Sequence, residues 1–216
     1  MITPLIIASL FVLIAYLLGS LPTGYLAGRY LGGIDIREYG SGSTGATNVL
    51  RTIGKKAASA VLAIDLLKGS LALLLVNFFY AFVPGELVPT SWQSWLITAT
   101  ALAVVLGHSK SIWLNFTGGK SVATSLGVLL VMNPILALGA LTAFGIVLAI
   151  SRIVSLSSIS AAIAVIILTI VLEQPLPYVL FAAIAGVYVI VRHRSNIQRL
   201  LAGEEPKIGQ KLQENN

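Results

Sequence analysis

Long stretches of this chain carry no charge at all. Leu5 to Leu21, Leu71 to Val83, Leu96 to Leu106, Leu126 to Ile150, Ile159 to Leu172 and Tyr178 to Val191 contain no Asp, Glu, Lys or Arg. Several approach the ~20 residues that carry a helix across a hydrocarbon core. With 56% hydrophobic and 10% charged side chains, the chain lies far from the roughly 45–50% apolar and 25% charged average of soluble domains. It reads as an all-α integral membrane protein: one polytopic domain over 1–203, then a polar tail over 204–216. The first apolar run has no basic residue before it and no small-residue cleavage site after it, so it reads as a retained span rather than a signal peptide. Cysteine is absent, which excludes disulfides, thiolate metal sites and a cysteinyl acyl-enzyme. With two histidines, a protein-ligated zinc is not expected either.

Spans at roughly 4–23, 57–83, 93–107, 120–132, 134–150, 155–172 and 176–191 make about seven transmembrane helices. Pro134, after Asn133, breaks an otherwise continuous apolar run, so two helices with a tight turn are expected there. Lys and Arg decide the orientation. Arg29, Arg37, Arg51, Lys55 and Lys56 fall in the first loop, Lys110 and Lys120 in the third, Arg152 in the fifth, and Arg192, Arg194, Arg199, Lys207 and Lys211 at the C-terminal end. The opposite loops, 84–92, 133 and 173–175, have none, which puts the N-terminus outside and the C-terminus in the cytoplasm. The net charge of +6 is then accounted for by this rule and by attraction to anionic lipid. Lys207 and Lys211 read as solvated charges.

Within the first loop, "YGSGSTGATNVLR" has Gly40, Gly42 and Gly45 in the order G-x-G-x-x-G. A dinucleotide fold would need a parallel sheet around that loop. "GIDI" could form a short strand and Asp65 lies 20 residues after Gly45, yet the next element is a membrane segment, and the match fails. Asp65 and Lys68, three apart on one helix face, are better read as an ion pair within the span. What remains is an anion-binding turn of backbone N–H groups, with the hydroxyls of Ser41, Ser43, Thr44 and Thr47, and Arg51 nearby.

A second polar cluster is "GHSKSIWLNFTGGKSVATSLG", with His108 and with Gly118, Gly119, Lys120 and Ser121 opening a helix. It is not a Walker loop, because position 114 is Leu114, but a lysine at a helix N-terminus is a good anion site. Asn115-Phe116-Thr117 fits a glycosylation pattern that has no meaning on a cytoplasmic face. A third cluster is split between Ser151–Ser158 and "RHRSNIQR". Neither histidine has an acid five residues on: those positions are Trp113 and Gln198. Paired-carboxylate acid/base chemistry is therefore not expected. Such a site suits anionic, already activated, phosphorylated substrates at a membrane interface.

Together, "GSLPTGYLAGRYLGGIDIREYGSGSTGATNVLR", "GHSKSIWLNFTGGKSVATSLG" and "VSLSS" with "RHRSNIQRLLAGEE" resemble the PlsY family of bacterial membrane acyl-phosphate:glycerol-3-phosphate acyltransferases, from about Leu18 to Glu205. The resemblance implies acyl transfer from acyl phosphate to the 1-hydroxyl of glycerol 3-phosphate, giving lysophosphatidic acid and inorganic phosphate in phospholipid biosynthesis. It implies seven spans in a bacterial inner membrane, with the active site at the cytoplasmic face and membrane lipids around it. No cofactor, metal or nucleic acid is implied. By this likeness Ser41, Ser155, His193 and Asn196 are the catalytic candidates. Gly40, Gly42, Gly45, Thr47, Asn48, Arg51, His108, Gly118, Gly119, Lys120 and Ser158 are the substrate and phosphate binders. His193 or a substrate phosphate oxygen would take the hydroxyl proton. Ser43 stands where many relatives have asparagine, and Ser195 where they have glutamate, which puts a role for that carboxylate in doubt. The competing reading is a carrier for an organic phosphate, but the polar motifs have no counterpart in a second half of the chain, as paired repeats would require.

Overall fold

The computed structural model describes residues 2–83 and 87–210, so Lys211 and positions 84–86 of the 84–92 loop lie outside the described residues. Among those residues the chain is helical, with only an isolated bridge between Ser111 and Thr117. Helices satisfy their backbone groups internally, as a hydrocarbon environment demands. In chain order they are α1 (Ile2–Ser20), α2 (Thr23–Ala27), α3 (Ala46–Thr52), α4 (Lys55–Phe82), α5 (Gln93–Ser109), α6 (Val122–Met132), α7 (Pro134–Ser151), α8 (Val154–Val171), α9 (Leu176–Arg192) and α10 (Arg194–Leu201). A π-helical turn, Gly28–Gly32, extends α2. Segment Ile36–Glu38, where a strand was conceivable, is a 3-10 turn capped by Asp35.

Seven of these helices fall where the apolar runs predict. α1 ends at Ser20, but helical structure resumes beyond Leu21-Pro22 and carries Arg29 within it instead of in a loop. The turn between α6 and α7 is the single residue Asn133, whose side-chain oxygen accepts from the backbone N–H groups of Ile135 and Leu136. Pro134 occupies the first helical position, where its missing N–H costs nothing. With 11 residues, α6 reaches only ~16 Å, well short of a bilayer core.

Two tight helix crossings build the rigid half of the bundle. α1 meets α5 where a β-carbon on Gly19 would overlap the Val104 carbonyl and one on Gly107 would overlap that of Tyr16. α4 meets α6 in the same way, through Gly69 against Thr124 and Gly127 against Leu66. Small residues let backbones approach where no hydrophobic effect drives helices together. The buried core around these crossings includes Ala72, Leu73, Val76, Ala101, Val104 and Val128. By contrast, α6, α7, α8 and α9 surround an open space.

Candidate active site

Each sequence motif folds into one wall of that space. In the first, Gly40 and Gly42 adopt left-handed backbone (φ 59° and 67°), a conformation that costs glycine little. Asn48, 1% exposed, fastens the turn they make. Its Oδ1 accepts from the Ser41 N–H at 2.9 Å, and its Nδ2 donates to the carbonyls of Ile36, Tyr39 and Ser43. The Ser43 hydroxyl accepts from the Gly45 N–H at 3.2 Å, so the serine at this departure holds the loop. Ser41 and Thr47 are thereby presented at the surface of the cavity, Thr47 one turn of α3 from Arg51.

The Gly118-Gly119 pair serves the second wall differently from expectation. The Gly119 N–H donates to the His108 carbonyl at 3.2 Å, and a β-carbon on Gly119 would strike the His108 ring. Arg192 Nη2 donates to both glycine carbonyls at 3.1 Å. These glycines form a packed joint away from the cavity lining, and their close fit presents Lys120, which does line it. Gly40 and Gly42 likewise lie off the lining.

The third wall comes from α8 and the 58° bend between α9 and α10. His193 sits at the bend, 3% exposed, with Nδ1 bonded to the Val189 carbonyl at 2.7 Å. A carbonyl only accepts, so Nδ1 carries the proton and Nε2 has the free lone pair. Burial pushes the His193 pKa down to about 4, although the Val189 hydrogen bond opposes the shift. Burial also lowers the Lys120 ammonium to about 8, with Glu205 opposing and Arg199, Arg51 and Arg192 adding to the shift. Lys120 Nζ donates to Asn196 Oδ1. Ser158 returns its hydroxyl to the Val154 carbonyl of its own helix.

The structure thus gathers Ser41, Gly45, Thr47, Asn48, Arg51 and Lys120 around one cavity with Ser155, Ser158, His193, Asn196 and His108. Its volume is about 320 Å³. Below the polar rim it continues as an apolar arm between α6, α7, α8 and α9.

Two features escaped the sequence. Glu205, assigned to the polar tail, is buried in the rim: its carboxylate accepts from Ser155 Oγ (2.8 Å), Asn196 Nδ2 (2.6 Å) and Arg199 Nε (2.7 Å). Burial alone would raise its pKa, but these hydrogen bonds outweigh that and hold it below the usual carboxylate value. The segment that carries it is tied down by Arg51 Nη2 to the Pro206 carbonyl (3.4 Å) and by the Ile208 N–H to the Arg152 carbonyl (2.8 Å). Glu205 therefore reaches the cavity rim from beyond position 203. Ser195, the departure from the glutamate that the resemblance implies, is exposed. The second feature is an acid for His108. Asp65 Oδ1 lies 3.4 Å from His108 Nδ1, 2.8 Å from Lys68 Nζ and 2.6 Å from the Thr23 hydroxyl that donates to it. The expected Asp65–Lys68 pair is present, and an Asp–His contact is made between helices, where no spacing along the chain could reveal it.

A family model described as Glycerol-3-phosphate acyltransferase matches residues 9–203. The chain belongs to this family. A curated glycerol-3-phosphate acyltransferase of Rippkaea orientalis is 65% identical, covering 96% of each chain. One from Synechocystis sp. is 59% identical over 98% of this chain and 96% of its own. Among solved structures, the glycerol 3-phosphate form of PlsY (YgiH), an integral membrane glycerol 3-phosphate acyltransferase, superposes with a TM-score of 0.83 at 38% identity, covering 94% of this chain and 96% of that one. Its lysophosphatidic acid form gives 0.80. As a member of this family with several long apolar helices, the chain is a multi-pass integral membrane protein.

Proposed function

We propose that this protein transfers a fatty acyl group from acyl phosphate to the 1-hydroxyl of glycerol 3-phosphate. The products are lysophosphatidic acid and inorganic phosphate, and the site opens on the cytoplasmic face of a bacterial inner membrane. The family relationship supports acyl transfer to glycerol 3-phosphate. The observation that carries the reading is the two-part cavity: Arg51, Lys120 and Asn196 at a polar rim, continuous with an apolar arm. A lipidic donor and a water-soluble anionic acceptor fit one such space.

In the reaction the substrate hydroxyl oxygen attacks the acyl carbonyl carbon. The bond from that carbon to the bridging phosphate oxygen breaks, and phosphate leaves with the electron pair. An acyl phosphate is already a good donor, so the protein contributes position and preorganised positive charge. Arg51 and Lys120 hold the two phosphates, while Ser41, Ser155 and Asn196 orient the reacting atoms. The free Nε2 of His193 has a lone pair for the hydroxyl proton, but at about 4 it is a weaker base than a phosphate monoester, whose second pKa is about 6. The substrate's own phosphate oxygen is therefore the better acceptor, with His193 orienting the hydroxyl through a hydrogen bond. Near-complete retention of turnover in His193→Ala at saturating substrates excludes the histidine as base.

The seven-span arrangement with the N-terminus outside is part of the same proposal, supported by the one-sided distribution of Lys and Arg. Because the chain lacks cysteine, Thr3→Cys and Lys207→Cys report on it directly. An impermeant maleimide applied to intact cells labels the first and spares the second. The functional test is purified protein with acyl phosphate and glycerol 3-phosphate, following phosphate release and lysophosphatidate, with acyl-CoA and acyl carrier protein donors as controls. Absence of product from acyl phosphate overturns the reading.

A further inference from the structure

The apolar arm has a floor. Along α8 the lining runs from Ser155 through Ser158, Ala161 and Ala162 to Val165, and along α9 from His193 through Val189, Ala185 and Ala182 to Phe181. No lining residue lies deeper on either helix. At the bottom, Val165 and Phe181 meet Leu129 of α6 and Ala140 of α7, all four buried. Phe181 is the largest of these side chains and is 2% exposed, so its ring closes the arm against the packed core. Above it the α8 and α9 faces are mostly small, Ala161, Ala182, Ala185 and Gly186, opposite Leu126 of α6 and Leu141 and Phe144 of α7.

We propose that this arm is a ruler for the acyl chain of the donor, with Phe181 as its stop. The inference rests on the acyl-transfer reading above and adds to it a length preference and the residue that sets it. From Ser155 to Val165 is ten helical residues, about 15 Å, and from His193 to Phe181 is twelve, about 18 Å. A tetrahedral zigzag of ~1.5 Å bonds advances about 1.25 Å per carbon, so a chain extended from the rim meets the Phe181 layer after about 12 to 14 carbons. A side entrance accompanies the floor. Leu62 of α4 and Leu141 of α7 line the cavity while remaining 49% and 44% exposed, on surface that faces lipid in a membrane-spanning bundle. A donor dissolved in the bilayer can enter between them without crossing water, and the excess of a longer chain can stay outside.

The mechanism of discrimination is burial. Each methylene that leaves lipid-exposed or aqueous surroundings for a fitted wall gains contacts, and full transfer from water corresponds to about fourfold per carbon. Carbons beyond the stop gain nothing.

The experiment is turnover of purified protein with saturated acyl phosphates of increasing length, from butanoyl to octadecanoyl, in wild type, Phe181→Ala and Ala161→Phe. The quantity read is the ratio of kcat/KM between successive lengths within each protein, so differing amounts of folded enzyme cancel and detergent partitioning is common to all three. In wild type, kcat/KM rises by up to about fourfold per carbon and stops rising at about 12 to 14 carbons. Phe181→Ala moves the stop at least two carbons longer. Ala161→Phe, placed six residues below Ser155, moves it to about 7 or 8, since ~9 Å of helix remains above the new ring. Should Ala161→Phe fail to fold, Phe181→Ala decides alone. Turnover with the same stop in wild type and Phe181→Ala overturns the ruler and leaves the acyl-transfer reading standing. No turnover with any donor overturns both.

Discussion

Asp65 and Glu205 are both buried carboxylates surrounded by basic groups, and they do different work. Asp65 lies inside α4, and its partners are Lys68 on the same helix, His108 on α5 and Thr23 on α2. Lys68 is further engaged with the Leu21 carbonyl at 3.2 Å, at the break where α1 gives way to α2. That cluster joins helices, and through Asp65 and His108 it also forms part of the cavity lining. Glu205 reaches in from a C-terminal segment outside the bundle, and its partners Ser155 and Asn196 are themselves candidates for contact with substrate. A charge held deep between helices is retained because its partner would otherwise be buried alone. A charge held at the rim can instead set the field and geometry in which phosphates bind.

This contrast can be broken by substitution. The largest stability effect belongs to Asp65→Ala, which strands Lys68. A loss of about 3–5 kcal/mol is expected in thermal unfolding. Asp65→Leu combined with Lys68→Met should recover most of it, because removing both charges also removes the penalty. Failure of the double variant to recover would give the pair a purpose beyond helix joining. Lys120→Ala comes next, with kcat/KM falling by about 10²–10³-fold and the unfolding temperature little changed. Glu205→Ala should cost about 1–3 kcal/mol of stability through the donors it leaves unpaired. It should also lower turnover, which Asp65→Leu/Lys68→Met should not do to the same degree.

A subtler test is pH. Lysine loses its charge as pH rises, and burial brings that loss for Lys120 down to about 8. The KM for glycerol 3-phosphate is therefore expected to climb above about pH 8, and Lys120→Arg should remove that climb because a guanidinium stays charged. His193, at about 4, is neutral throughout the physiological range, so no histidine inflection is expected in kcat between pH 5 and 8. The smallest effect is Ser195→Glu. The position is exposed, and the change should stay within about 0.5 kcal/mol in stability.

Much of this protein was legible without coordinates. Charge-free runs and Pro134 locate the helices because lipid leaves the backbone few alternatives, and local turn chemistry made the three polar motifs visible. Glu205 was not legible as a site residue, because a glutamate in "GEEPK" resembles any solvated tail until the chain is seen folding back onto α8 and α10. The role of Gly119 was equally hidden: its spacing suggests a phosphate loop, while its position is required by the His108 ring packed against it.

The sequence by itself determined the membrane environment, the helix positions and the polar residue types available for chemistry, since these follow from hydropathy and local backbone preference. Tertiary structure alone decided which carboxylate enters the site, that Asp65 meets His108, and that an apolar arm ends at Phe181. Those are contacts between residues tens of positions apart, such as Ser155 and Glu205 or Asp65 and His108, and only packing in three dimensions brings them within reach.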